Sequence, residues 1–397
     1  MKCLNLCLLC SASICLMIMS SCTREPMRSP QAGEKQPILW DVREVKGMEE
    51  TRALIDNDEE LIQACTPAAD GGDGKSIGVW ADYTILEGAG EPDASGAPSN
   101  GRLMTYKNVF DNAQIIYKSK VGGNFHSYWN VSGGDVYWAI GGDYKFRAYY
   151  PQTMTEYITS NSDADIFIVE YKSELVQEDL CVAYNAISTS AQGWNSSDEV
   201  VLDFDHCMSA LRFKFVMGYD NSDKITSCWL ENTSSKTTQA FSTLGLLIYG
   251  AQEEGDDDAM IDWTEGYWPE KGTPFYKWSS SAGIYFDEDT EATAYTDKTS
   301  AVLGKGYVDN DGWILIIPQK SRGHLDLCFT TEKGGDKVYR VRIPEATEYD
   351  ASSTPLSSEY IRARRYTYTV EVSETDLTMS VSSADWNERR SSVEIIL

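Results

Sequence analysis

The residues most able to do chemistry lie together near the middle of the chain. Asp203, Asp205, His206 and Cys207 fall within five positions, and their oxygen, nitrogen and sulfur atoms are ligands for divalent transition metals. Apolar side chains alternate with the two aspartates, however, on the two-residue period of a β-strand. A strand directs Asp203 and Asp205 to the face opposite His206, so the four groups cannot meet at one ion. We therefore predict a structural strand here, with no metal and no cofactor.

No other pattern in the chain points to catalysis. The three histidines lie far apart, and the motifs of serine hydrolases, zinc proteases and nucleotide-binding loops are absent from the sequence. Asp309–Gly312 carries part of a calcium-loop pattern, but it lacks both the aspartate two residues upstream and the downstream glutamate. A hairpin turn is the better interpretation of that segment. We predict that the protein is not an enzyme.

The net charge and the cysteine positions further limit which class of protein this is. A net charge of −27 argues against a nucleic-acid partner, because phosphate binding needs clustered lysine and arginine. Five of the ten cysteines lie in the first 22 residues, and the others are scattered singly, without CxxC spacing. Such dispersed cysteines predict small core residues rather than a disulfide framework. The scattered ones are Cys65, Cys181, Cys207, Cys228 and Cys328.

The N-terminus reads as an export signal. Lys2 precedes an apolar run from Leu4 to Met19, which is too short and interrupted for a convincing transmembrane helix. Small residues then stand directly before Cys22, an arrangement that resembles a bacterial lipobox. Residues 1–21 are thus predicted to be a lipoprotein signal peptide, with Cys22 acylated and residues 22–37 a tether. The lipid would anchor the protein to the outer membrane without spanning it.

Short strands recur through the mature chain at a spacing of about ten residues, separated by glycine-rich turns, which is typical of β-sandwiches. Asp56–Cys65 predicts one short helix. We predict an all-β protein with two consecutive sandwich domains, residues 38–199 and 200–397, and a long loop insertion at 252–311. Aromatic residues of that insertion could stack on a sugar, or they could fill the core. The candidate glycan contacts are Trp263, Trp268 and Trp278.

Several phrases, in this order, resemble the fimbrillin family of Bacteroidales, particularly its Mfa-like members. They are Phe146–Pro151, Gln177–Ala183, Phe204–Phe213, Leu315–Gln319, Arg365–Val370 and the closing Asp385-Trp386. Together with the lipobox they span essentially the whole chain. The resemblance implies two transthyretin-like, Greek-key β-sandwiches and a role as a pilus subunit that is exported as a lipoprotein.

The resemblance also implies a mode of assembly. A trypsin-like protease would cut after an arginine or lysine beyond the first strand, and a C-terminal strand of the next subunit would fill the vacated groove. Arg52 matches the cut position best, with Arg43 and Lys46 as rivals. The candidate donor residues are Val393, Ile395 and Leu397, and Thr378–Trp386 is a second candidate segment.

Two functions remain open from the sequence. The first is a structural, accessory or tip subunit of a fimbrium at the cell surface, which contributes to adhesion and assembles with identical or different subunits. The second is a tethered surface lipoprotein that binds a host or bacterial glycan or protein and never polymerises. The 252–311 insertion favours an accessory or tip role, whereas the apolar C-terminus favours a subunit that donates a strand.

Overall fold

A computed structural model describes residues 37–43, 58–87, 102–118, 128–161, 166–217, 223–234, 241–251, 259–285, 292–293, 313–320, 323–344, 347–349, 355–372 and 377–385. Over these ranges the chain is almost entirely β-structure, which confirms the predicted all-β class. The strands, in chain order, are β1 Leu39–Arg43, β2 Ile77–Glu87, β3 Arg102–Lys118, β4 Tyr128–Val131, β5 Gly142–Tyr150, β6 Ile158–Asn161, β7 Ile166–Lys172, β8 Cys181–Ser188, β9 Glu199–Asp203, β10 Asp205–His206, β11 Ser209–Met217, β12 Lys224–Asn232, β13 Leu244–Ala251, β14 Ala259–Tyr267, β15 Pro274–Tyr285, β16 Ala292–Thr293, β17 Ile314–Ile316, β18 Gln319–Lys320, β19 Leu325–Thr331, β20 Tyr339–Arg342, β21 Thr347–Tyr349, β22 Pro355–Tyr360, β23 Arg364–Val372 and β24 Leu377–Asp385.

Helical structure is confined to short pieces in the described ranges. The α-helix α1 spans Asp58–Cys65, and two 3₁₀ turns span Ala68–Asp70 and Gln152–Tyr157. Leu61, Ala64 and Cys65 of α1 are buried, at the three- and four-residue spacing of one helix face. None of these helices has the length and apolar character that crossing a bilayer requires.

The largest sheet has eight strands in the order β10-β8-β5-β2-β3-β4-β1-β9. Its strands run antiparallel to their neighbours except β1 and β9, which are parallel. One face covers a core around Trp40, Phe110 and Phe146, which we call the first core. The alternation of β5 divides its side chains, so Phe146 enters the first core while Tyr149 enters a different one.

Two further sheets pack on one another and form a second core, around Phe213, Phe215 and Tyr368. One has the order β16-β11-β23-β24, with β17 also paired to β11, and the other has the order β15-β12-β19-β20. The rings of Phe213 and Tyr368 are stacked, with centroids 5.5 Å apart. Across the sheets, Phe215 meets Phe329 edge-on at 5.2 Å. The strands β18, β22 and β21 form a small additional sheet.

A four-stranded sheet, β14-β13-β7-β6, connects the two halves of the chain. β7 precedes residue 199 and β13 follows it, yet they pair antiparallel from Leu244↔Lys172 to Gly250↔Ile166. Its inner face and the eight-stranded sheet enclose a joint core around Tyr149, Phe167 and Tyr249. The predicted division at residue 199 stays a prediction. After β8 the chain stays in the eight-stranded sheet through β9 and β10, and only then enters β11.

The segment predicted as a loop insertion, 252–311, differs from that expectation. It contains β14, which pairs with β13, and β15, which pairs with β12. Within β14, Asp262 and Thr264 are exposed while Ile261 and Trp263 are partly buried. That alternation is a strand pattern, and the acidic run Glu253–Asp258 that precedes it is the connection from β13 to β14. The high charge of that connection concealed the strand that follows it, whereas the strand before it, β13, was predicted near Leu244–Ile248.

Candidate functional site

The first strand, β1, packs one apolar face on the first core. Its inward side chains are apolar, and Trp40 and Val42 are 4% and 7% exposed, as is Ile38 just before the strand, at 3%. Leu39 and Asp41 alternate with them and are only half-buried on the opposite side. Alternation with one buried face is what an extended segment needs in order to pack on a core. The five-residue strand therefore carries one compact apolar face.

The position of β1 in the sheet makes it structurally important. It lies between β4, with Trp40 opposite Trp129, and β9, with which it pairs in parallel from Leu39↔Glu199 to Arg43↔Asp203. β9 is the edge of the described sheet, so β1 is the second strand from that edge. Removing β1 would leave unpaired backbone groups on two strands at once, and such rows of groups are templates for strand addition.

Trp40 of β1 packs against two aromatic rings of the first core. Its ring meets Phe110 at 5.5 Å and Phe146 at 5.6 Å, both nearly perpendicular. Edge-to-face pairs of this kind stabilise beyond the area that they bury. The other apolar side chains of the same core that belong to neighbouring strands and loops are Trp129, Val131, Trp138, Val200 and Leu202. Without β1 these groups would line an apolar groove.

The two ends of β1 differ in how they are held. Just before the strand, the Ile38 backbone N–H donates to the Val136 carbonyl at 2.6 Å, and Pro37 forms a bridge with Tyr137. Arg43, the rival cleavage residue, is the last residue of β1 and its backbone pairs with Asp203. Cys22, Lys46, the preferred cleavage residue Arg52 and the donor residues Val393, Ile395 and Leu397 lie outside the described residues.

The aromatic residues proposed as glycan contacts are not gathered on one strand. Trp263 lies on β14, where its indole N–H donates to the Cys207 carbonyl at 2.9 Å and its ring packs against the joint core. Trp268 follows that strand and donates to Glu265 at 3.2 Å. Trp278 is on β15 in a different sheet, and its side chain lies outside the described part. Their role in glycan binding stays a prediction.

Strand alternation places the central acidic cluster as the sequence predicts. Asp203 and Asp205 are exposed, whereas His206 and Cys207 are fully buried. Cys207 belongs to the joint core, and burial raises the pKa of its thiol well above the ordinary value. These four residues do not converge on one point.

His206 nevertheless has buried partners that sequence spacing does not reveal. It lies opposite Cys181 in the pairing of β10 with β8. Its Nδ1 is 3.0 Å from an Asp179 carboxylate oxygen and 3.4 Å from the Cys181 sulfur. The partners lie 25 and 27 residues earlier in the chain. Only the two-residue interval between Asp179 and Cys181, which places both side chains on one face, was readable in advance.

All five described cysteines are free and buried, so no disulfide forms among them. Burial raises the pKa of the Cys65 thiol as well, with a smaller opposing effect from Lys75. Burial is also the main cause that raises the pKa of Cys328, to about 12. Thiols held protonated in this way are poor nucleophiles. Cys65, Cys207 and Cys328 are therefore core residues, as their spacing predicted.

Comparison with known proteins gives one family. A family model described as fimbrillin-like matches residues 72–386. A fimbrial protein from Bacteroides vulgatus is similar in structure, with 14% identity, a TM-score of 0.48, and coverage of 88% of this chain and 99% of that one. The tip fimbrial protein Mfa3 from Porphyromonas gingivalis, with a C-terminal truncation, has 13% identity, a TM-score of 0.29, and coverage of 78% and 94%. The comparison with curated proteins found no match.

Proposed function

The chain belongs to the fimbrillin-like family, and from that membership we propose that it is a subunit of a cell-surface fimbrium that assembles by replacement of β1. The family model covers most of the chain, from residue 72 to residue 386. The role that we propose is structural and non-enzymatic, with other fimbrial subunits as its partners. Contribution to adhesion follows from the same proposal.

The observation that carries the proposal is the position of β1 between two strands, with one apolar face on the first core. A strand in that position keeps both neighbours paired and closes the groove. When it leaves, backbone groups and apolar side chains are exposed together, and these are what an incoming strand recognises. The subunit would therefore stay monomeric until β1 is removed.

The C-terminus has the pattern of a suitable replacement. Val393, Ile395 and Leu397 repeat the two-residue spacing of Ile38, Trp40 and Val42. The second candidate donor, Thr378–Trp386, overlaps β24, which pairs with β23 from Val372↔Leu377 to Arg364↔Asp385. Its release would break nine register pairs, so we favour residues 393–397 as the donor.

Export and maturation complete the proposal. Acylation at Cys22 would carry the precursor through the periplasm to the outer membrane. Cleavage after Arg52 would fall between the end of β1 at Arg43 and the start of α1 at Asp58. It would therefore detach β1 from the rest of the chain without cutting either element. Cleavage after Arg43 or Lys46 would have the same topological result.

Mass spectrometry of the surface protein tests this order of events. A mature N-terminus at Ala53, in assembled fibres, is the expected result. An intact chain acylated at Cys22 on all surface-displayed protein would contradict removal of β1 and would favour the tethered glycan-binding alternative. Glycan-array binding that is lost in Trp268→Ala, with no fibres present, would favour that alternative further.

Deletion of residues 387–397 tests the donor separately. We expect a folded monomer that no longer enters fibres, because β24 ends at Asp385 and is left intact. Substitution of Val393 and Ile395 by aspartate in the full chain keeps the tail length but removes its apolar side chains, and this variant should also fail to enter fibres. Normal incorporation of both variants would rule out this donor segment.

A further inference from the structure

Three buried side chains form a group that the proposed assembly by replacement of β1 does not use. Asp179, Cys181 and His206 are 5%, 2% and 0% exposed, and one ligand atom from each lies within 4.8 Å of the other two. Cys181 is the first residue of β8, and Asp179 lies two residues before it. His206 lies on β10, which pairs with β8. The pairing of these two strands thus brings a carboxylate, a thiol and an imidazole together.

The separations between these atoms fit coordination to one metal ion. His206 Nδ1 lies 3.4 Å from Cys181 Sγ and 3.0 Å from Asp179 Oδ2. Around a tetrahedral zinc ion, the ordinary bond lengths place a nitrogen roughly 3.6 Å from a sulfur and roughly 3.4 Å from an oxygen. The imidazole nitrogen would need to move away from these two atoms by only a few tenths of an ångström.

The chemistry of the donors selects the class of metal. A thiolate with an imidazole and a carboxylate suits zinc and similar divalent transition metals, whereas calcium and magnesium prefer oxygen alone. A thiolate and a carboxylate together carry two negative charges, which balance a divalent cation. A neutral cluster is the form that a buried site tolerates best.

We propose that Asp179, Cys181 and His206 bind one zinc ion, or a divalent transition metal of similar preference. The ion joins β8 to β10 at the point where the chain leaves the eight-stranded sheet for β11. It would strengthen that crossing independently of whether β1 is later removed. Because the three side chains are buried, the metal enters while the chain folds rather than by diffusion into the folded protein.

The test uses residues 22–397, which is the chain without its predicted signal peptide and with β1 in place. The protein is refolded from denaturant with equimolar Zn²⁺ or Co²⁺ and is then passed over a desalting column. We expect about one equivalent of bound metal, a higher melting temperature than after refolding with chelator, and a thiolate-to-cobalt charge-transfer band in the Co²⁺ form. X-ray absorption of the zinc form should show one sulfur at about 2.3 Å with nitrogen or oxygen neighbours at about 2.0–2.2 Å.

Matched variants assign the ligands. Cys181→Ser should abolish the charge-transfer band, and Asp179→Asn should weaken zinc binding at least tenfold. Cys207→Ala is the control, because that thiol is also buried but belongs to the joint core. It should keep the band and the bound metal.

The proposal can fail in distinct ways. Less than a tenth of an equivalent of metal on the refolded wild-type chain overturns it. So does an absorption spectrum without a sulfur neighbour, or a band that persists in Cys181→Ser and disappears in Cys207→Ala. If Cys181→Ser does not fold, the stoichiometry and the absorption spectrum of the wild-type protein decide the question alone. If the proposal fails, the cluster is a hydrogen-bonded pair of His206 and Asp179 with the Cys181 thiol beside it.

Discussion

Replacement of Trp40 by alanine measures how firmly β1 closes the groove. Trp40 is 4% exposed and contacts two aromatic rings, those of Phe110 and Phe146, nearly edge-on. Alanine at this position keeps the backbone pairs with β4 and β9 but leaves a cavity beneath the strand. The variant therefore separates the side-chain contribution of β1 from its hydrogen bonds.

The size of the effect follows from the buried area. An aromatic side chain of this kind buries about 150–250 Å², which at about 25 cal/mol per Å² corresponds to about 4–6 kcal/mol. The retained methyl group and partial collapse reduce this, and measured losses for tryptophan-to-alanine changes in cores are about 3–5 kcal/mol. We expect a loss of about 4 kcal/mol in the free energy of unfolding.

The functional consequence follows from the same free-energy change. If β1 opens as a unit, about 4 kcal/mol corresponds to about a 10³-fold larger open population, since 1.4 kcal/mol is a factor of ten. A labelled peptide of residues 390–397 should then enter the groove of the uncleaved variant up to about 10³ times faster than it enters the wild-type chain.

Urea unfolding followed by tryptophan fluorescence and circular dichroism provides the assay, with peptide capture measured by anisotropy. Leu39→Ala is the matched control, because Leu39 lies on the same strand but is only half-buried on its other side. It should lose about 1 kcal/mol and capture peptide nearly as slowly as the wild type. A loss below about 1 kcal/mol for Trp40→Ala, or equal capture by both variants, would refute the closing role that we assign to β1.

Three further predictions concern other parts of the structure. In Gly78→Ala the new methyl group would lie 2.2 Å from the Tyr149 ring, so thermal unfolding should show that the free energy of unfolding falls by about 1–3 kcal/mol. Gly133→Ala is the control and should be nearly neutral, because no heavy atom lies within 4 Å of its new carbon. Asn232→Ala removes three buried hydrogen bonds to backbone groups, so urea unfolding should show that the free energy of unfolding falls by about 2–4 kcal/mol. An unchanged urea midpoint would contradict this prediction. Burial raises the pKa of Glu174 above the ordinary 4.5, so the stability that this group contributes is present below 4.5 and is lost as the pH rises through the raised value. Glu174→Gln should therefore be more stable than the wild type at pH 7, and the difference should vanish at pH 4; a constant difference across that range would contradict the assignment.

Much of the local structure was predictable because it depends on neighbouring residues. Alternation predicts a first strand at Ile38–Val45, and the structure has β1 at Leu39–Arg43. The predicted helix Asp56–Cys65 corresponds to α1, Asp58–Cys65. Alternation alone placed Asp203 and Asp205 on the exposed face and His206 on the buried one. In each case the signal is the period of the element itself, which a few consecutive side chains are enough to reveal.

The features that carry function were less accessible from spacing. The parallel pairing of β1 with β9 joins segments about 160 residues apart, and the loop insertion predicted at 252–311 contains the strands β14 and β15 and the short strand β16. Strand partners are chosen by the packing of whole faces, and the residues on either side of a strand do not specify them.

The amino-acid sequence by itself determined the all-β class, the family resemblance and the apolar face that β1 presents. Tertiary structure alone decided that β1 closes a groove between β4 and β9, and that Asp179, Cys181 and His206 meet. The physical reason is the same for both. Periodicity fixes the direction in which a side chain points, whereas the group that it meets depends on which distant strand the sheet places alongside.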